Sequence, residues 1–295
     1  MSLWQHLSAH ISQSTGEKIH IRQQQSLGGG CINNTLVVSD GAALSYFVKT
    51  NHADRHPMFA AEALGLQELQ SSQTVRVPQV ICAGVFDQKA YLVLEYISLQ
   101  AEENTTQSQL GTQLAALHRV TQNQYGWKIN NTIGTTPQIN TLNPDWINFW
   151  REQRLGLQLQ WAANQGYAGQ LQQQGEKLLS LLDSFFQDYI PTASLLHGDL
   201  WAGNHGADAQ GNPVIFDPAV YYGDRETDLA MTTLFGGFST HFYRAYQEHY
   251  PLHAGYALRK NLYNLYHVLN HLNLFGGAYL PQALSLIQKL LVEVE

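Results

Sequence analysis

The chain has 295 residues, enough for one large domain or two modest ones around a proper core. Charged residues make up only 13%, about half the usual share. Sixteen Lys and Arg against 23 Asp and Glu leave a formal charge of −7 with no basic run, which excludes a general attraction to nucleic-acid backbones. Two cysteines, Cys31 and Cys82, are too few for a disulfide framework and fit a reducing compartment. The opening Met-Ser-Leu-Trp-Gln-His has no basic leader, and no apolar run reaches the roughly 18 residues that span a bilayer. The expectation is a cytoplasmic protein, acting neither at a membrane nor on nucleic acid.

The elements follow in chain order. Leu3, Leu7 and Ile11 mark one face of a short helix over 1–14. Residues 19–27 alternate like a strand, and Gly28-Gly29-Gly30 breaks it. Thr35 to Val38 resumes a strand, Asp40-Gly41 signals a hairpin, and Leu44 to Lys49 is a third strand. Met58, Ala61, Leu64 and Leu69 predict a helix over 57–70. Val75 to Ala83 and Tyr91 to Tyr96 read as two further strands around a turn at Asp87. Beyond Ile97 the pattern turns helical, over 108–119, 145–162 and 170–189. Short apolar strands fill 193–217, and helices dominate from Asp228 onward. Residues 1–96 and 97–295 thus read as two lobes, the first carrying the sheet.

The stretch that carries chemistry is Leu195-Leu-His197-Gly198-Asp199-Leu-Trp201-Ala-Gly-Asn204, followed by Val214-Ile-Phe-Asp217. An apolar strand delivers a His-x-Asp loop; Asn204 follows Asp199 by five residues and Asp217 by eighteen. This is the spacing of a kinase catalytic loop and its metal-binding aspartate. Phosphoryl transfer from ATP needs a carboxylate beside the incoming hydroxyl, a role that suits Asp199. It also needs oxygen ligands for Mg²⁺, which suits Asn204 and Asp217. Upstream, Gly28, Gly29, Gly30 and Cys31 stand where backbone N–H groups can wrap phosphates, although a loose hairpin reads the same way and no Walker pattern follows. Lys49 closes the third strand in a position that contacts α/β-phosphates. Glu62 is the expected partner, with Glu68 as the alternative. Glu95, Tyr96 and Ile97 follow the fifth strand as a hinge whose backbone can bond adenine.

His197 to Asn204, Phe216-Asp-Pro-Ala219 and Tyr222-Gly-Asp-Arg-Glu226 together resemble the fructosamine kinase (ketosamine-3-kinase) family. So do Gly28-Gly-Gly-Cys-Ile-Asn33, Ile133-Gly-Thr-Thr-Pro-Gln138, Asp145-Trp146, Phe149 to Leu155 and the tail from Leu265 to Gly276. The likeness runs from about residue 20 to 290. The Trp after His-Gly-Asp-Leu and the Tyr-Gly-Asp-Arg-Glu run set this family apart from aminoglycoside and choline kinases. The resemblance implies an α+β, two-lobed protein-kinase-like fold, related to aminoglycoside phosphotransferases. Its N-lobe is an antiparallel sheet with one main helix, and its C-lobe is mostly helical. It also implies ATP- and Mg²⁺-dependent phosphorylation of the sugar 3-hydroxyl of free or protein-bound fructosamines or ribulosamines, read as deglycation repair by a monomer or homodimer. By position, Asp199 is then the proton acceptor, Asn204 and Asp217 hold Mg²⁺, and residues 95–97 form the adenine hinge. The alternatives are another small-molecule kinase or a catalytically silent nucleotide-binding module.

Other residues keep two readings. Trp201 either walls the sugar pocket or braces the loop. Asp224 and Glu226 either draw the substrate amine or, for Glu226 above all, form solvated surface. Asp228 caps the helix it opens or braces the catalytic loop. His267/His271 and His52/His56 have the i, i+4 spacing of a metal pair without a third ligand, which favours structural or pocket-polar roles. Cys31 is a packed small hydrophobe or a redox handle in the phosphate loop.

Overall fold

The computed structural model describes residues 1–28, 32–42 and 44–294. Helix α1 (Leu3–Thr15) starts in a reciprocal Ser2/Gln5 capping box and stops at Gly16, whose φ of +75° suits a glycine. Strands β1 (Gln23–Leu27), β2 (Asn34–Ser39) and β3 (Ser45–His52) lead into helix α2 (His56–Ser71) and then β4 (Val80–Phe86) and β5 (Lys89–Glu95). These five strands form one antiparallel sheet in the order β1-β2-β3-β5-β4.

Alternation along β5 divides the lobe's core in two. Tyr91 and Val93 join Leu7, Ile11, Ile19, Val38, Val48 and Cys82 beneath α1. Ala90, Leu92 and Leu94 pack with Phe59, Ala63, Leu66 and Leu69 of α2. The sheet is therefore covered by helices on both faces. β3 alternates too. Val48 lies in the α1 core, while Phe47 packs against the α2 core. Lys49, two residues on from Phe47, shares that face and meets α2.

The C-lobe begins with α3 (Asn104–Leu117), followed by a small hairpin of β6 (Asn131–Ile133) and β7 (Thr136–Gln138). Helix α4 (Trp146–Trp150), a π-helical turn (Arg151–Leu155), α5 (Gly156–Asn164) and α6 (Gln170–Ser180) come next. Strand β8 (Ser194–Leu196) leads into the His197–Asn204 stretch. Hairpin β9 (His205–Ala207) and β10 (Pro213–Ile215) follows, and β11 (Tyr221–Gly223) pairs back onto β8. Helices α7 (Glu226–Leu234), α8 (Thr240–His249), α9 (Tyr256–Phe275) and α10 (Leu280–Val294) complete the chain. α9 is buried on nearly every side, and one hydrophobic cluster runs from α2 through α3 to α9 and α10. Gly65 of α2 lets the two lobes meet closely, since a methyl there would lie 3.2 Å from Val220 Cγ2.

Several expected elements change shape. The strand expected from Val75 begins only at Val80, because Pro78 has no N–H to give a ladder. Val75 and Val77 are buried all the same, in the cluster continuous with the C-lobe. The helix expected over 170–189 ends at Ser180, and a single 3₁₀ turn covers Leu182–Phe185. The β6–β7 hairpin and β11 were not expected. Among the described residues no helix is long and apolar enough to cross a membrane.

Candidate active site

β8 leads into the His197-Gly198-Asp199 loop, and β11 pairs beside it. Gly198 has φ +83°, and a Cβ there would fall 2.1 Å from the Ala219 carbonyl oxygen. Only glycine allows the loop to cross the strand leaving Asp217 so closely. Ala219 N–H donates to the His197 carbonyl at 2.8 Å and locks the crossing. Burial keeps His197 below its ordinary range, hence neutral. Its bonds define the tautomer: Nε2–H donates to the Phe216 carbonyl at 2.9 Å, and Nδ1 accepts from Asp199 N–H at 3.3 Å.

Asp228 supports the loop from beneath. Its carboxylate accepts the His197 and Gly198 N–H groups, both at 2.8 Å, and His118 Nε2 at 3.2 Å. Burial alone would raise this carboxyl, but the hydrogen bonds outweigh it and hold it below the usual range. Asp228 lies in the first turn of α7, after the Arg225 cap position, so bracing is its structural part and capping is not.

Asn204 joins the two acidic segments. Its Nδ2 donates to the Asp199 carbonyl at 2.8 Å and to Asp199 Oδ2 at 3.3 Å, and reaches the Asp217 carbonyl at 3.5 Å. Asp217 takes a left-handed backbone, φ +56°, one of three such non-glycine residues among those described. Across the cleft Lys49 Nζ lies 2.6 Å from Glu62 Oε1 and 2.5 Å from Asp217 Oδ1. Burial works against the Lys49 charge, but Asp217 and Glu62 prevail and hold the ammonium above the usual lysine range. Burial, reinforced by Asp217, pushes Asp199 up to about 7 against the pull of Asn204.

These groups line one interlobe cleft of about 770 Å³. Ile32, Asn33, Thr35 and Met58 form its N-lobe wall. The β6–β7 hairpin contributes Asn131 to Gly134, and α9 contributes Asn270, His271, Leu274 and Phe275. Trp201, Phe235 and Tyr279 complete an aromatic side.

Comparison with known proteins now bears on this arrangement. The family model described as fructosamine kinase matches residues 3–293. The chain belongs to the fructosamine kinase family. A probable ketoamine kinase of Synechocystis is 45% identical, over 98% of this chain and 97% of its own. The chloroplastic protein-ribulosamine 3-kinase of Arabidopsis thaliana is 42% identical, over 92% of this chain and 83% of its own. The crystal structure of a candidate fructosamine-3-kinase from Haemophilus somnus superposes with a TM-score of 0.90 at 28% identity, covering 98% of this chain and all of that one. An ADP-bound aminoglycoside phosphotransferase shares the fold, with a TM-score of 0.63 at 16% identity. The fold is the α+β, two-lobed, protein-kinase-like one, and the chain is an ATP-using kinase.

In this chain the expected residues fare unequally. Lys49 pairs with Glu62, while Glu68 instead accepts from Lys128 at 2.8 Å and Tyr222 at 3.0 Å. Trp201 lines the cleft and is partly open to solvent. Glu95, Tyr96 and Ile97 lie outside the cleft lining. Glu95 accepts from Arg76 Nη2 at 2.7 Å and Gln79 N–H at 3.2 Å. Gly28 is exposed at the end of β1, outside the lining, and Gly29, Gly30 and Cys31 lie outside the described residues.

Asp224 and Glu226 require correction. Both are fully buried, away from the cleft, and neither forms surface or faces substrate. Asp224 accepts from Tyr263 at 2.5 Å, Tyr189 at 2.9 Å and Glu226 N–H at 3.0 Å. Arg259 holds Glu226 in a two-point pair at 2.7 and 3.0 Å. The histidine pairs separate as well. His271 lines the cleft and donates Nδ1–H to the His267 carbonyl at 2.8 Å, whereas His267 is buried and His52 is exposed. Among the described residues no three His, Cys, Asp or Glu side chains gather as a metal site. The sequence reading missed Phe235, Leu274, Phe275 and Tyr279. Residues 271, 274 and 275 share one helix face, but that spacing also marks ordinary core.

Proposed function

We propose that this chain is an ATP-dependent ketosamine 3-kinase, phosphorylating the sugar 3-hydroxyl of fructosamines or ribulosamines, free or on protein. The observation that carries the reading is the convergence of Asp199, Asn204 and Asp217 with the Lys49–Glu62 pair in one cleft. Asp199 orients the incoming hydroxyl and takes its proton. The sugar oxygen then bonds to the γ-phosphorus as the bond to the β-phosphate oxygen breaks and ADP leaves. An Asp199 raised to about 7 is a better proton acceptor near neutrality than an ordinary carboxylate. Lys49, fixed by Glu62, presents its charge to the nucleotide phosphates.

The donor set suits Mg²⁺. Asp217 has a half-exposed carboxylate, and the Asn204 amide nitrogen is engaged with Asp199, which leaves its Oδ1 as the second oxygen. Magnesium prefers one or two such protein ligands and completes its shell with water and phosphate oxygens, so a site without three carboxylates is the expected kind. Bound there, the ion would offset charge on the transferring phosphoryl group. Trp201, Phe235, Phe275 and Tyr279 give the acceptor side a partly exposed aromatic wall, open enough for a sugar carried on a lysine side chain.

The test couples ADP release to fructoselysine and ribuloselysine as acceptors, with phosphorus NMR locating the phosphate on O3. Turnover on either acceptor with O3 phosphorylation is expected. Nucleotide binding without ADP release across the ketosamine panel would leave a silent binding module instead.

A further inference from the structure

Beneath the β6–β7 hairpin lies a buried network of side-chain amides that the reaction itself does not use. Gln138 is 1% exposed, and Asn140 and Arg154 are fully buried. Gln138 Nε2 donates to the Ala219 carbonyl at 3.0 Å and to Asn131 Oδ1 at 2.9 Å, while its Oε1 accepts from Tyr266 of α9 at 2.9 Å. Asn131 Nδ2 donates to the next carbonyl, Val220 O, at 2.8 Å. Asn140 Nδ2 closes on Asn131 Oδ1 at 2.8 Å, and Arg154 holds Asn140 Oδ1 at 2.8 Å. Every amide oxygen in the chain Gln138–Asn131–Asn140 thus has a donor, which fixes the network in one arrangement.

The two carbonyls it grips belong to the segment leaving Asp217. Ala219 O is also the atom against which Gly198 packs, one residue before Asp199. Asp217 holds a left-handed backbone that non-glycine residues adopt only when their surroundings impose it. The hairpin lines the cleft with Asn131 to Gly134, so the same unit touches the acceptor space and both acidic segments.

We infer that Gln138, seated by Tyr266 and joined by Asn131, is a positioning residue that sets the spacing of Asp199 and Asp217 by holding the Ala219 and Val220 carbonyls. This rests on the kinase reading above and adds residues to it. Loss of the Gln138 donor lets the 217–220 segment relax away from Gly198. Small misplacements of this kind reduce turnover without removing a substrate contact.

The experiment uses the full-length enzyme and compares Gln138→Met, Tyr266→Phe and the double variant. Gln138→Met keeps bulk but cannot donate, and kcat per folded enzyme should fall about 10- to 100-fold with KM for ATP little changed. Exchange of the Asp217, Ala219 and Val220 amides should quicken in the nucleotide-free protein. Tyr266→Phe removes only the hydroxyl behind Gln138 and should give a smaller change in the same direction, with no further loss on the Gln138→Met background. If Gln138→Met folds poorly, Tyr266→Phe alone carries the kcat and exchange measurements. Normal kcat per folded enzyme, or unchanged exchange of these amides, would overturn the proposal, as would additive losses in the double variant. A lowered unfolding midpoint with kcat retained would show a purely structural part and overturn it too. The exchange measurement needs no acceptor, so wild-type enzyme inactive on ketosamines would sink the kinase reading and still leave Gln138 decided.

Discussion

Asp217 and Asp224 stand seven positions apart in the chain, and the two carboxylates lead opposite lives. Asp217 sits at the cleft on a strained backbone, half exposed, with a lysine from the other lobe as its close charged partner. Asp224 lies in the interior, held by two tyrosine hydroxyls and a backbone N–H, beside the Glu226–Arg259 pair. The difference is one of unspent bonding capacity. An ionised carboxylate offers about four lone-pair sites. At Asp217 most remain open to a ligand, whereas Asp224 has three donors and Glu226 a two-point guanidinium pair, both sealed from solvent. Acidic residues near a catalytic loop are therefore chemical or structural according to who has already claimed their oxygens.

The contrast can be broken at either end. The largest expected effect is Asp199→Ala, which should lower kcat by about 10²–10⁴-fold with the unfolding midpoint not reduced. A variant with wild-type turnover would remove Asp199 from the chemistry. At the sealed cluster, Arg259→Met strands a buried glutamate and should cost about 3–5 kcal/mol in urea unfolding, with kcat per folded enzyme kept. A normal midpoint together with lost turnover would reverse the assignment of the two groups.

The next effect follows from pH. The Asp199 carboxyl sits at about 7 in the native protein, against about 3.9 in an unfolded chain. The native state then binds the extra proton, so this group's contribution to stability declines as pH rises from about 4 to about 7. Asp199→Asn removes that decline. Without nucleotide or divalent cation, its stability should match wild type near pH 4 and exceed it by about 4 kcal/mol at pH 8. An equal difference at both pH values would contradict the burial of this carboxylate. Smallest of all, the exposed Arg244–Glu248 pair, 3.8 Å apart on α8, should be worth only about 0.3–0.5 kcal/mol in a double-mutant cycle.

How much of this was legible beforehand depends on how far apart the cooperating residues lie. His197, Asp199, Asn204 and Asp217 fall within one short stretch of strands and turns, so their spacing alone announced a shared site. Lys49 and Glu62 were readable because a strand and the helix after it pack face to face. The fate of Asp224 and Glu226 was not. Their partners Tyr189, Tyr263 and Arg259 arrive from distant elements, and three acidic residues in five look like surface. The β6–β7 hairpin escaped for another reason. Its strands are three residues each and hold Asn, Gln and Pro, and they are stabilised by amide bonds to remote carbonyls rather than by an apolar stripe. Likewise the cleft-facing side of α9 carries the same periodicity as its core-facing side.

The contact between Lys49 and Asp217 pairs a cation of one lobe with an anion of the other. It ties the sheet lobe to the helical lobe at 2.5 Å, alongside the bonds of Glu68 to Lys128 and Tyr222. On the function proposed above, nucleotide phosphates would compete with the aspartate for the ammonium. Nucleotide binding would then be an exchange of partners that leaves the Asp217 carboxylate to the divalent cation.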